Sequence, residues 1–146
     1  ATITFKWTEN GETKTAEKIG KIGETLPDVP TAPALKGHDF VGWFDDGGNE
    51  FDKTAPLTTN ATYTAKYEAK TFTITLIVKD ADGNETTFGQ VTVRYGEKAD
   101  LGVPTAEGRT FIFWQDAAEN IWSGSDGKMT KDYDLESDVT LYAFMM

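Results

Sequence analysis

"GHDFVGW" at residues 37–43 and "GRTFIFW" at residues 108–114 are two spellings of one segment, 71 positions apart. Reading them together decides the fold, because the surrounding blocks recur too. "ITF" at 3–5 returns as "ITL" at 74–76, "IGE" at 22–24 as "YGE" at 95–97, and "ATYTAKY" at 61–67 as "VTLYAFM" at 139–145. The offsets drift from 71 to 73 and then 78, so length changes fall between the blocks, where loops tolerate them. The chain therefore reads as two tandem modules, 1–69 and 70–146, arranged end to end.

What the copies keep is structural. Gly37 matches Gly108, Phe40 matches Phe111 and Trp43 matches Trp114, and these six form the repeated spine. What they lose is reactive, since His38 becomes Arg109, Asp39 becomes Thr110 and Asp46 becomes Ala117. Neighbouring residues on a strand also point to opposite faces, so His38 and Asp39 make a poor acid–base pair. No catalytic residue is assigned, and the chain is read as a non-enzyme.

Composition narrows the partners. A formal net charge of −10 repels the phosphates of nucleic acid and anionic lipid, which excludes nucleic acid. Cysteine is absent, so neither disulfides nor thiolate metal sites are available. With 38% hydrophobic and 12% aromatic residues, the chain has enough apolar mass for packed cores. No apolar run is long enough to insert in a membrane. The opening "ATITF" begins in strand register without a leader and reads as a segment of a longer polypeptide.

Apolar residues alternate with period two. Ile3, Phe5 and Trp7 share one strand face, and Phe72, Ile74, Leu76 and Val78 repeat it, with Val91, Val93 and Tyr95 on a returning strand. Asn10-Gly11 and Asp82-Gly83 signal tight hairpins. Pro- and Gly-rich loops follow, and at most one short helix fits, around residues 97–103. The predicted class is mainly β, an α+β arrangement with little helix.

Two clusters lie outside the spine. Trp122 sits in a loop with a net seven-residue insertion, flanked by Asn120 and Asp126, and reads either as a contact surface for a glycan or protein or as a plug at the end of a small core. Asp132, Asp134, Glu136 and Asp138 alternate along "DYDLESD" and share one face if extended, which offers a weak divalent-cation site, for Ca2+ as an example. A solvated face is the preferred reading. "DADGNE" at 80–85 begins like a calcium loop, but Val91 stands where the closing glutamate belongs, so a hairpin turn is preferred. No other cofactor is expected.

The opening strand with its Asn-Gly turn, the Pro-rich stretch, Gly-x-x-Phe-x-Gly-Trp-Phe at 37–44 and the ending "ATYTAKY" resemble the Listeria–Bacteroides repeat, the B-repeat type of internalin-like bacterial surface proteins. The resemblance spans the chain as two copies, with Phe113 in place of the second copy's expected glycine. It implies β-grasp-like modules in an extracellular, cell-surface protein, serving as spacer, stalk or adhesion scaffold. A monomer is expected, with host or neighbouring surface proteins or glycans as its partners. The alternative reading is a glycan- or host-protein-binding module built on the Trp122 loop and the acidic cluster.

Overall fold

A computed structural model describes all residues 1–146. The chain divides into two compact units, Ala1–Glu68 and Ala69–Met146. The first holds strands β1 (Thr2–Glu9), β2 (Glu12–Ile19), β3 (His38–Phe44) and β4 (Ala61–Ala69). The second holds β5 (Thr71–Lys79), β6 (Glu85–Arg94), β7 (Phe111–Gln115) and β8 (Val139–Met145). The protein is all-β, with one four-stranded sheet in each unit. The orders are β2-β1-β4-β3 and β6-β5-β8-β7, so the two units share one topology.

In each sheet the first and last strands are central neighbours and run parallel. Ile3 faces Ala61 and Phe5 faces Tyr63 in the first unit. Ile74 faces Val139 and Leu76 faces Leu141 in the second. A parallel pair needs a long crossover, which here runs from the end of the hairpin through the Trp-bearing strand and its loops.

The two hairpins close differently. Asn10 (φ 52°) and Gly11 (φ 79°) form the two-residue turn that the dipeptide predicts. The second hairpin is longer. Asp80 N–H donates to the Asn84 carbonyl at 2.9 Å, and a bulge between Leu76 and Ile77 lets Phe88 swing toward Trp114, ring centres 5.6 Å apart.

No helix forms at 97–103, where at most a short one was expected. The backbone there is spent on pairing with a later segment. Tyr133 N–H donates to Glu97 O, Met129 N–H to Ala99 O and Leu101 N–H to Gly127 O, at 2.8 to 3.1 Å. Those bonds hold the stretch extended, and the sequence alone gives no sign of them.

Each unit encloses its own core. The first buries Ile3, Phe5, Leu26, Trp43 and Leu57, with the Phe5 ring edge-on to Trp43 at 5.2 Å and to Phe51 at 5.4 Å. The second buries more, adding Trp122, Met129 and Tyr133 to the strand residues Ile74, Leu76, Trp114 and Leu141. Units this small bury a modest share of their surface, so the rings carry much of the stabilisation.

Candidate functional site

The glycine that opens each Trp-bearing strand has a physical reason to recur. Gly37 (φ 72°) and Gly108 (φ 77°) occupy the left-handed region inside turns closed by His38 N–H to Leu35 O and Arg109 N–H to Ala106 O. The turn closes through the backbone N–H of the residue after the glycine, so histidine and arginine both serve there. The Nδ1 of His38 lies 2.7 Å from Lys36 O, engaged with the turn itself.

Downstream, Trp43 and Trp114 are set alike. The Trp43 indole N–H donates to Pro30 O at 3.2 Å and that of Trp114 to Gly102 O at 2.8 Å, which ties each Trp to its Pro/Gly-rich loop. Phe40 departs from the spine reading. It is 43% exposed and leans edge-on against Trp43 and Tyr67, whereas Phe111 is buried.

The chain then reverses through a turn that appears three times as Asp-x-x-x-Asn, at 45–49, 80–84 and 116–120. In each, the aspartate Oδ1 accepts the backbone N–H of the asparagine, at 2.8 to 2.9 Å. The fourth position has positive φ in all three, as Gly48, Gly83 and Glu119 (φ 67°). Composition hides this motif because the intervening residues differ.

The turn carboxylates are held below the usual carboxylate range. For Asp45 and Asp80 the first cause is the backbone N–H of Asn49 or Asn84. For Asp116, burial pushes upward, but the Asn120 amide, the Asn120 N–H and the Trp122 indole together outweigh it. A depressed folded pKa gives stability that is complete above the unfolded value near ~3.9 and is lost as pH falls through the folded value. The urea midpoint is therefore expected to fall as pH drops from about 4 toward about 2. The Asp45→Asn, Asp80→Asn, Asp116→Asn triple variant should flatten that fall, and an unchanged acid slope would show that other carboxylates carry it.

The residues predicted as a ligand surface are engaged in this framework. Trp122 is 3% exposed, its indole N–H donating to Asp116 Oδ2 at 3.1 Å and its ring edge-on to Tyr133. It is the counterpart of Phe51, because Phe51 N–H donates to Trp43 O just as Trp122 N–H donates to Trp114 O, each at 2.8 Å. A ring so placed belongs to the core and offers a glycan almost no surface. Asn120 caps the turn through Asp116, and Asp126 Oδ1 accepts the Lys128 N–H at 3.0 Å.

The acidic alternation is not gathered either, and no three acidic or histidine side chains come together to hold a metal ion. Asp132 pairs with Lys98 at 2.8 Å. Tyr133, between two of the acids, turns inward. It matches Leu57, since Gly96 N–H donates to Tyr133 O as Gly23 N–H does to Leu57 O. Burial, and then Asp138 and Asp134, push its hydroxyl pKa up to about 12. Asp138 Oδ1 accepts the Thr73 N–H at 2.8 Å, repeating Asn60 with Thr2, so it is a strand cap. The alternation itself is present, with Tyr133 and Leu135 turned inward and the four acids exposed, but Asp132 is paired with Lys98 and Asp138 is taken up as a cap, so the shared face gathers no ligand set.

A concave surface does exist, in the first unit. A groove of about 860 Å³ runs over Phe40–Trp43, between Val29–Ala32 on one side and Glu50–Thr54 on the other. The same space in the second unit is filled by its own chain. There the segment after Trp122 turns back so that Ser123 bridges to Met129 and Asp100 to Lys128, with Thr130 N–H donating to Trp122 O at 3.1 Å. Gly127 packs directly on Gly102, and Ser123 and Met129 are buried. The chain takes six steps from Phe51 to Leu57 and eleven from Trp122 to Tyr133, and those added residues make the plug. Sequence comparison of the copies registers the insertion but not what it covers.

The site defines a class: a duplicated β module whose shared parts are turns, caps and aromatic anchors. The Listeria-Bacteroides repeat domain model matches the chain twice, at residues 2–76 and 63–144, and the chain belongs to that family. Among relatives, it is 33% identical over 121 residues to internalin H of Listeria monocytogenes, covering 78% of this chain. It is 28% identical over 149 residues to a protein of Evansella cellulosilytica whose name assigns it provisionally to the membrane, covering 96% of this chain. The chain spans 20% of the length of each of these relatives. It also aligns with the type 2 repeat of the mucus binding protein MUB from Lactobacillus reuteri, at 14% identity over 99% of both chains and a TM-score of 0.27.

Proposed function

We propose that this tandem repeat is a non-catalytic, tension-bearing spacer of a bacterial cell-surface protein, holding other parts of that protein away from the cell. The observation that carries the reading is the parallel pairing of first and last strands in both units. Pulling a unit by its two ends draws β1 and β4, or β5 and β8, past each other in opposite directions. All the hydrogen bonds between them are then loaded together in shear. An antiparallel hairpin pulled from its open end breaks its bonds one after another.

Membership of a repeat family that includes internalin H supports the surface setting. Further support comes from what the units share, which is turns, caps and indole anchors with no reactive group in common. The partners expected of the whole protein are surface or host molecules.

Single-molecule stretching through the chain termini tests this. Two separate ruptures are expected, with contour gains somewhat below the fully extended lengths of about 230 and about 260 Å at ~3.4 Å per residue. Stretching a Thr2→Cys, Ile19→Cys variant through its two cysteines peels β2 from β1 and should need several-fold less force. Equal forces in the two geometries, or a single rupture spanning both units, would refute the spacer reading.

A further inference from the structure

From the contrast between the two units, we infer that the groove of the first unit is a docking site for an extended peptide bearing a central apolar residue flanked by lysines. The inference goes beyond the spacer role and does not depend on it. The occupant is specified by the second unit, which fills the equivalent space with residues 123–130 of its own chain.

The equivalence rests on four hydrogen bonds. Trp43 to Pro30 and Trp114 to Gly102 fix the loop wall of each unit. Phe51 to Trp43 and Trp122 to Trp114 fix the opposite wall. Between these walls the second unit seats the sequence "GKMTK", 127–131. Gly127 comes within backbone contact of Gly102, Met129 is buried, and Thr130 pairs with the outer edge of Trp122. Lys131 Nζ stands 5.6 Å from the Trp122 ring centre.

In the first unit the floor is presented without that cover. Phe40 and Val41 are 43% and 41% exposed, and the wall at Glu50–Thr54 makes one isolated bridge, Glu50 to Phe44. The counterparts of Ser123–Met129 and Asp100–Lys128 are absent. A peptide entering here adds a strand to an available edge and supplies an apolar side chain above Trp43, the general mode of β-strand addition. Glu50 and Asp52 against Lys53 leave the wall acidic, which favours lysines beside the apolar residue, as Lys128 and Lys131 stand on either side of Met129.

The test uses the full chain, labelled with 15N, and a synthetic peptide of sequence GSDGKMTKD, the chain's own residues 124–132. Addition of the peptide at up to millimolar concentration is expected to shift amide signals of Val29–Ala32, Phe40–Trp43 and Glu50–Thr54. Signals of the second unit's core should stay in place. A peptide with aspartate in place of its methionine should bind at least tenfold more weakly. The chain variant Val41→Lys, altered at an exposed position, should lose the shifts while keeping its spectrum otherwise folded.

Absence of shifts at millimolar peptide would overturn the proposal. So would equal shifts in both units, or equal binding of the aspartate peptide. Concentration-dependent shifts at the same residues without peptide would assign the groove to a second copy of this chain and overturn it as well.

Discussion

Replacing Trp114 with alanine should leave the second unit barely folded and the first intact. Trp114 is fully buried, packs against Phe88 and Phe111, and donates to Gly102 O. Truncating a buried tryptophan costs about 3–5 kcal/mol, and the abandoned carbonyl adds about 1 kcal/mol or more. A unit of this length holds only about 4–12 kcal/mol in total. Urea unfolding followed by tryptophan fluorescence should show an early transition for the second unit, with the transition reported by Trp7 and Trp43 unmoved. Trp43→Ala should cost nearer ~3 kcal/mol, because Trp43 borders a groove into which its surroundings can relax. Loss of both units together from Trp114→Ala would show that their cores are not independent.

The second large effect is expected at Gly127. Its φ is 75°, and a Cβ placed there would lie 2.1 Å from Gly102 O and 2.5 Å from Gly102 C. Both are backbone atoms, so no rotamer change relieves the contact. Alanine at 127 combines a left-handed cost of about 1–2 kcal/mol with overpacking of about 1–3 kcal/mol. A loss of about 3 kcal/mol or more from the second unit is expected, with Met129 coming loose. Gly83→Ala is the matched control. Its φ is 83° with open space around the new methyl, so it should cost only the conformational part, about 1 kcal/mol. Equal losses at 83 and 127 would mean that the plug does not pack as described. The comparison thus separates backbone conformation from contact.

The legibility of this chain follows the range of the forces involved. Strand faces were readable because alternation is a local property. Ile3 and Phe5, or Ile74 and Leu76, sit inside because neighbouring side chains in an extended chain must point oppositely. The two glycines ahead of the Trp-bearing strands were readable because a left-handed turn favours that residue in both copies. Trp122 was left between two readings, contact surface and core plug, for the opposite reason. Whether a loop tryptophan faces solvent depends on which backbone it pairs with, and its partner Trp114 is fixed by the tertiary fold. Phe40 shows the converse, since an apolar residue on an edge strand stays partly exposed when no further segment folds over it.

The groove lies furthest from what a sequence can give. Two copies with the same spine differ there only through a few residues added after Trp122, and an insertion is equally compatible with a floppy loop. By itself, the sequence determined the duplication, the strand faces and the absence of shared reactive groups, because these follow from residue type and spacing along the chain. Only the tertiary structure decided that one copy plugs its cleft and the other leaves it open, since that depends on hydrogen bonds between segments about thirty residues apart.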